Sequence, residues 1–211
     1  MGIKGKFKSN CCSKPNENEM NTEIKYEILE SLPTNGPMYI SVTENNENYF
    51  SAGFPVRFYK NDKTNWVANF KPGWTNFSSI YEIQNQNLLI IAGGTLYIMN
   101  PENEKPIKVI GVGFEKGIMT KNREIVLQDQ TDLTIIEQNG EYWTTERISW
   151  DGIKELEING NQINGLSYNP MHDKNEWIKF TLDIETKKLV GGSYNKYEIN
   201  PIKKIWRKIW Q

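Results

Sequence analysis

From Glu23 onward the chain is a succession of short apolar and aromatic runs broken by Gly, Asn, Asp and Pro. The runs are Met38 to Thr43, Asn48 to Ala52, Val56 to Tyr59, Trp66 to Phe70, Ile80 to Ile83, Leu88 to Ala92 and Leu96 to Met99. These are strand lengths with turn punctuation, not helix lengths. The clearest alternation is in Trp177 to Ile184, where Ile178, Phe180, Leu182 and Ile184 alternate with Lys179, Thr181 and Asp183. That pattern predicts a strand with one buried and one wet face. Asn139-Gly140 and Asn159-Gly160 supply the positive φ angles that tight hairpins require.

A weak internal repeat organises the runs. The strands starting at Leu88, Ile125 and Ile163 are separated by 37 and 38 residues. Each has a lead-in strand (Ile80 to Ile83, Gly117 to Thr120, Ile153 to Ile158) and is followed, after its hairpin partner, by a fourth (Ile107 to Ile110, Tyr142 to Ile148, Lys188 to Gly192). Four meandering strands at this period resemble a β-propeller blade, a twisted antiparallel sheet that buries its faces by stacking on its neighbours. The resemblance covers residues 38–193. It implies an all-β, four-bladed, propeller-like antiparallel meander with blades near 38–71, 79–111, 115–149 and 153–193. The tryptophan-aspartate signature of WD40 repeats occurs once, at Trp150-Asp151. A β-sandwich or an irregular barrel is the alternative.

The chain ends differ from this body. Residues 1–22 are polar, rich in Lys and Asn and without apolar periodicity, and read as a disordered basic tail ahead of a single β domain over 23–200. At the other end Asn200 can cap a helix that Pro201 opens. Ile202, Ile205, Trp206, Ile209 and Trp210 then fall at helical spacing, opposite Lys203, Lys204, Arg207 and Lys208. The expectation over 201–211 is a short amphipathic basic helix that must dock on something. Residues 1–20 carry four lysines against two glutamates and residues 201–211 four basic groups, so a formal charge of −1 leaves −7 on the body between. An acidic body repels nucleic-acid phosphates and matches a basic partner.

Candidate chemistry is sparse. His172 is the only histidine, and the two cysteines, Cys11 and Cys12, are adjacent and lie in the tail. These residues cannot build a standard zinc site, and nothing marks a cofactor. Gly93-Gly94 and Gly111-Val112-Gly113 lack the Gly-Lys-Ser/Thr ending of a phosphate loop and read as hairpin and bulge glycines. Asp129 and Asp132 flank a turn without the further oxygen ligands a calcium loop needs. No apolar run approaches the ~18 residues of a membrane span. The N-terminus lacks the apolar region of a signal peptide, which places the expected location in the cytoplasm.

Seven tryptophans are the most informative side chains. Trp66, Trp143 and Trp177 lie within strands and read as core. Trp74, in Pro72-Gly73-Trp74-Thr75-Asn76, and Trp150, in Ser149-Trp150-Asp151-Gly152, lie in turn-like segments and read as surface anchors. The binding candidates are Trp74, Trp150, Asp151, Asp173 and Trp206, with no catalytic and no metal-binding residue. The chain is similar to small bacterial toxin-immunity proteins in being acidic and free of catalytic motifs. That similarity implies a protein-binding module that covers a basic toxin domain. The alternatives are a carboxylate-dependent hydrolase or carbohydrate-active protein, and a peripheral membrane or scaffold protein held by the C-terminal helix.

Overall fold

Sixteen strands form four sheets of four in the computed structural model, which describes residues 25–36, 38–170 and 176–194. The first sheet contains β1 (Tyr26–Ile28), β2 (Ile40–Val42), β3 (Phe54–Tyr59) and β4 (Asn65–Phe70). The second contains β5 (Ser79–Glu82), β6 (Leu88–Ala92), β7 (Thr95–Met99) and β8 (Lys108–Ile110). The third is built from β9 (Lys116–Met119), β10 (Ile125–Gln128), β11 (Leu133–Ile136) and β12 (Tyr142–Thr144). The fourth is built from β13 (Ile153–Asn159), β14 (Gln162–Asn169), β15 (Glu176–Asp183) and β16 (Lys188–Gly191). Among the described residues there is no helix.

The second, third and fourth sheets are antiparallel meanders, whereas the first has the order β1-β3-β4-β2 with β2 parallel to β4. Three apolar clusters show how the sheets stack. Val56, Phe58, Trp66 and Phe70 of the first sheet pack on Leu88, Ile90 and Tyr97 of the second. Leu89, Ile91, Leu96 and Ile98 on the second sheet's other face meet Ile125, Leu127 and Ile136 of the third. Val126, Leu133 and Ile135 then meet Ile163, Phe180 and Leu182 of the fourth. The second sheet is therefore covered on both sides, which is why β6 reads Leu-Leu-Ile-Ile-Ala without a polar position. The fourth sheet ends the stack, and β14 alternates between buried and half-buried residues.

This architecture corrects the propeller-like expectation. The four sheets are discrete, and none is curled or closed into a propeller or barrel. A propeller closes when its last blade packs on its first, and none of the three clusters joins the fourth sheet to the first. The first unit is not a meander either. On its other face Asn69 bonds the irregular segment at Ser51 and Gly53. A sandwich of two sheets is equally absent. The C-terminal helix expected over 201–211 lies outside the described residues, as does the tail.

The run Asn48 to Ala52 was expected as a strand and has no strand structure. Side chains hold it in place of a ladder. Ser41 Oγ donates to Tyr49 O (3.1 Å) and accepts from Tyr49 N (3.0 Å), while Asn69, fully buried, donates to Ser51 O (2.9 Å) and accepts from Gly53 N (2.9 Å). These bonds satisfy backbone groups that a sheet would otherwise pair.

Candidate functional site

The links between successive sheets, and the β6–β7 and β10–β11 hairpin turns, gather at one end of the stack. Four alternating strands per meander bring the start of its first strand, its central turn and the end of its last strand to the same end, and at the second sheet glycines let the segments there pack closely. Gly93 and Gly94 adopt φ of +52° and +89°, which closes the β6–β7 hairpin in two residues. With no side chain in the way, neighbouring links bond directly to this turn. Gly94 N donates to Phe77 O (2.9 Å), Thr75 N to Gly93 O (2.9 Å) and Phe114 N to Gly94 O (3.1 Å). The third sheet's turn has no glycine but is bonded by its neighbouring link in the same way, with Ile148 N donating to Thr131 O (2.8 Å) and Gly152 N to Gln130 O (2.8 Å).

Trp74 rides on this scaffold. Its own N–H donates to Val112 O (2.8 Å) and Gly73 N donates to Ala92 O (3.0 Å), so the backbone is fixed while the indole is 86% exposed. Val112 and Phe50 are also exposed at this end, Phe50 at 83%. An aromatic ring held out on a rigid backbone loses little freedom when it is covered, which is the property of an interface anchor.

Trp150 and Asp151 sit on a second rigid element, between the third and fourth sheets. Two fully buried serines hold it. Ser149 Oγ donates to Gly152 O (2.7 Å) and accepts from Tyr168 N (3.1 Å), and Ser193 Oγ donates to Tyr168 O (2.7 Å) and accepts from Trp150 N (3.2 Å). The half-buried Trp150 ring meets Tyr194 edge-on, with centroids 4.7 Å apart. The Arg147 guanidinium lies 5.6 Å from the Trp150 ring and 4.9 Å from Tyr194, and donates to Ser149 O and Trp150 O, both at 2.9 Å. A second aromatic pair follows on the fourth sheet, where Tyr168 and Trp177 are 5.1 Å apart and Lys154 Nζ is 4.2 Å from the Trp177 ring. Each pair thus carries a cation on its face, a geometry that is attractive in itself. Asp151 is exposed on this turn.

The Asp129 carboxylate accepts from Thr131 N (2.6 Å) and Asp132 N (2.9 Å), an ordinary Asx turn. Burial, and then the Asp129 charge, push the Asp132 carboxyl above its usual range, against smaller opposing pulls from Thr131 and Arg147. In the fold ionisation is therefore penalised. The stabilising contribution is complete below the ordinary aspartate pKa and is lost as pH rises through the raised value in the fold. Asp132→Asn is expected to remove that loss, so that urea titrations from about pH 4 to about pH 7 show a flatter pH dependence than wild type.

Of the sequence candidates, Trp74, Trp150 and Asp151 share this end, on links of different sheets. Asp173 and Trp206 lie outside the described residues, as do His172 and the cysteines. Sequence reasoning missed Phe50, Arg147, Tyr168 and Tyr194. The one available signal was Gly191-Gly192-Ser193-Tyr194, which repeats the glycine, serine and aromatic content of Ser149-Trp150-Asp151-Gly152. Trp177, read as core, is 37% exposed on the outer face of the fourth sheet.

Two clefts open at the opposite end. One, of about 170 Å³, lies between the first and second sheets beside Tyr59, Lys60, Asn100 and Glu102. The other, of about 400 Å³, lies between the third and fourth. No group of three or more His, Cys, Asp or Glu among the described residues could hold a metal ion. No helix among them is long and apolar enough to cross a membrane. No protein-family model matches the chain and no curated protein matches it in sequence, so the similarity to toxin-immunity proteins is withdrawn and the function rests on the site alone.

Proposed function

We propose that this protein is a protein-binding module that engages a partner through the linked end of its sheet stack. The observation that carries the reading is the pair Trp74 and Phe50, each more than four-fifths exposed. Trp74 in addition stands on a backbone already fixed by hydrogen bonds. Aromatic anchors of this kind dominate binding energy in interfaces. Charge supports a basic partner. Among the described residues around this end, Glu44, Glu47, Glu115, Asp129, Asp132, Glu146, Asp151 and Glu176 outnumber Lys71, Lys116, Arg147 and Lys154. Such a field speeds encounter with a basic surface and weakens with salt.

The expected result is a split between stability and affinity. Trp74→Ala removes an exposed ring and should change unfolding free energy by no more than ~0.5 kcal/mol. It should weaken a partner captured from native cells by about 2 kcal/mol or more, a factor of roughly 30. Calorimetric titration of the purified partner, paired with melting curves, checks both halves. Equal affinity for wild type and Trp74→Ala sinks the reading. The carboxylate-based alternative finds its support at the other end, in the larger cleft. The membrane alternative depends on 201–211, outside the described residues.

A further inference from the structure

We propose that the cleft between the third and fourth sheets is a binding site for a neutral saccharide, separate from the linked end. Its walls come from turns of both sheets, with Asn122, Glu124 and Glu137 on one side and Asn161, Glu185 and Lys187 on the other, over Trp143 and Ile184. The β10–β11 register pairs Ile125 with Ile136, so one step outward Glu124 stands opposite Glu137. Both share a face with Val126 and Ile135, which pack on the fourth sheet, and both are half-buried. Trp143, paired with Ile135, lies on the same face.

Two carboxylates directly opposite each other across a strand pair repel. Among the described residues no cation lies within 4.0 Å of either to offset this. The fold satisfies them only in part: Glu124 accepts one hydrogen bond, from Thr120 Oγ1 (3.1 Å), and the Glu137 carboxylate has no hydrogen-bond or ion-pair partner among the described residues. Both therefore keep acceptor positions open to a ligand that donates hydrogen bonds. Asn161 Nδ2 donates to Glu185 Oε2 (2.9 Å), which presents a second planar polar pair from the facing sheet. Planar amides and carboxylates over an indole suit a sugar ring, whose vicinal hydroxyls need paired acceptors and whose C–H face packs on an aromatic surface. The other small-molecule classes fit less well. Three glutamates against one lysine repel phosphates and acidic sugars, and with only Trp143 and Ile184 apolar the cleft is too polar for a lipid. Its volume of about 400 Å³ lies in the range of small-ligand sites.

Lys187 places its ammonium 5.0 Å from the Trp143 ring. This exposed side chain shows that the ring is reachable from the cleft, and a sugar stacking there displaces it. The test uses the full chain labelled with 5-fluorotryptophan, its Trp143 signal assigned by Trp143→Phe. It is titrated with neutral mono- to trisaccharides of the glucose, galactose, mannose and N-acetylglucosamine series. A saturable shift of that signal is expected with at least one series. Affinity should fall about tenfold in Glu137→Gln, which loses a charge-assisted acceptor but relieves repulsion and so keeps or raises the melting temperature. Lys187→Ala should bind a few-fold tighter. Trp74→Ala should bind sugar as wild type does, which keeps this outcome distinct from that of the protein-binding reading. No shift at millimolar sugar with any series, or equal affinity in Glu137→Gln, overturns the proposal.

Discussion

Phe180→Ala is expected to cost about 3 to 5 kcal/mol of stability, the range for truncating a fully packed aromatic ring. Phe180 is 2% exposed and lies in the cluster that joins the third and fourth sheets. Its ring fills the space left by Gly165, where an added Cβ would come within 2.8 Å of the ring and of Leu156. A melting temperature lower by about 10 °C follows for a domain of this size. The stack adds a second, sharper expectation. Because, among the described residues, the fourth sheet is packed on one face only, weakening that contact should release it before the rest. Amide exchange should accelerate in β13 to β16 while β6 and β7, covered on both sides, stay protected. Uniform acceleration over all four sheets would mean that the stack unfolds as one unit and that the terminal sheet has no independence.

Gly94→Ala should be nearly as damaging, for reasons that act on the backbone. At φ of +89° an alanine is strained, and its Cβ would lie 2.6 Å from Thr75 Oγ1 and 2.9 Å from Phe114 O. Strain and overpacking together amount to about 2 to 6 kcal/mol. Gly160→Ala is the internal comparison. It also has positive φ, +61°, but nothing lies within 4 Å of the added carbon. Its cost should be the backbone part alone, about 1 to 2 kcal/mol. Urea denaturation of the two variants separates the terms, and equal losses would show that close approach at Gly94 adds nothing.

The three meanders were legible in the sequence because hairpins are local. Alternation assigns the faces of a strand, and Asn-Gly and Gly-Gly pairs mark where it turns back. The first sheet was not, because its parallel β2–β4 pairing joins strands separated in the chain by β3. The neighbouring run is held by the side chains of Ser41 and Asn69, which leave no periodic trace. Closure was illegible for a related reason. A repeat describes pairing within each unit and says nothing about whether the last unit touches the first. The error over Trp177 was avoidable, since its parity is that of Lys179, Thr181 and Asp183, the wet face of β15. At the candidate site Trp74 and Trp150 stood out by their turn context. The Ser149 and Ser193 bonds that orient Trp150 join links distant in the chain, and no local pattern announces them.

The double burial of the second sheet has a consequence for how the chain is made. Leu88 to Ala92 and Thr95 to Met99 are ten residues without a charge, apolar toward both neighbours. As the protein emerges during synthesis, the first sheet is ready to cover one side. The other side, with Leu89, Ile91, Leu96 and Ile98, stays bare until the strands around Ile125 and Ile136 arrive. For that interval the nascent chain carries a β-prone, uncharged surface of the kind that pairs with other chains. The third sheet is in this sense the protein's own chaperone, and a chain that stopped at residue 115 would be left without it.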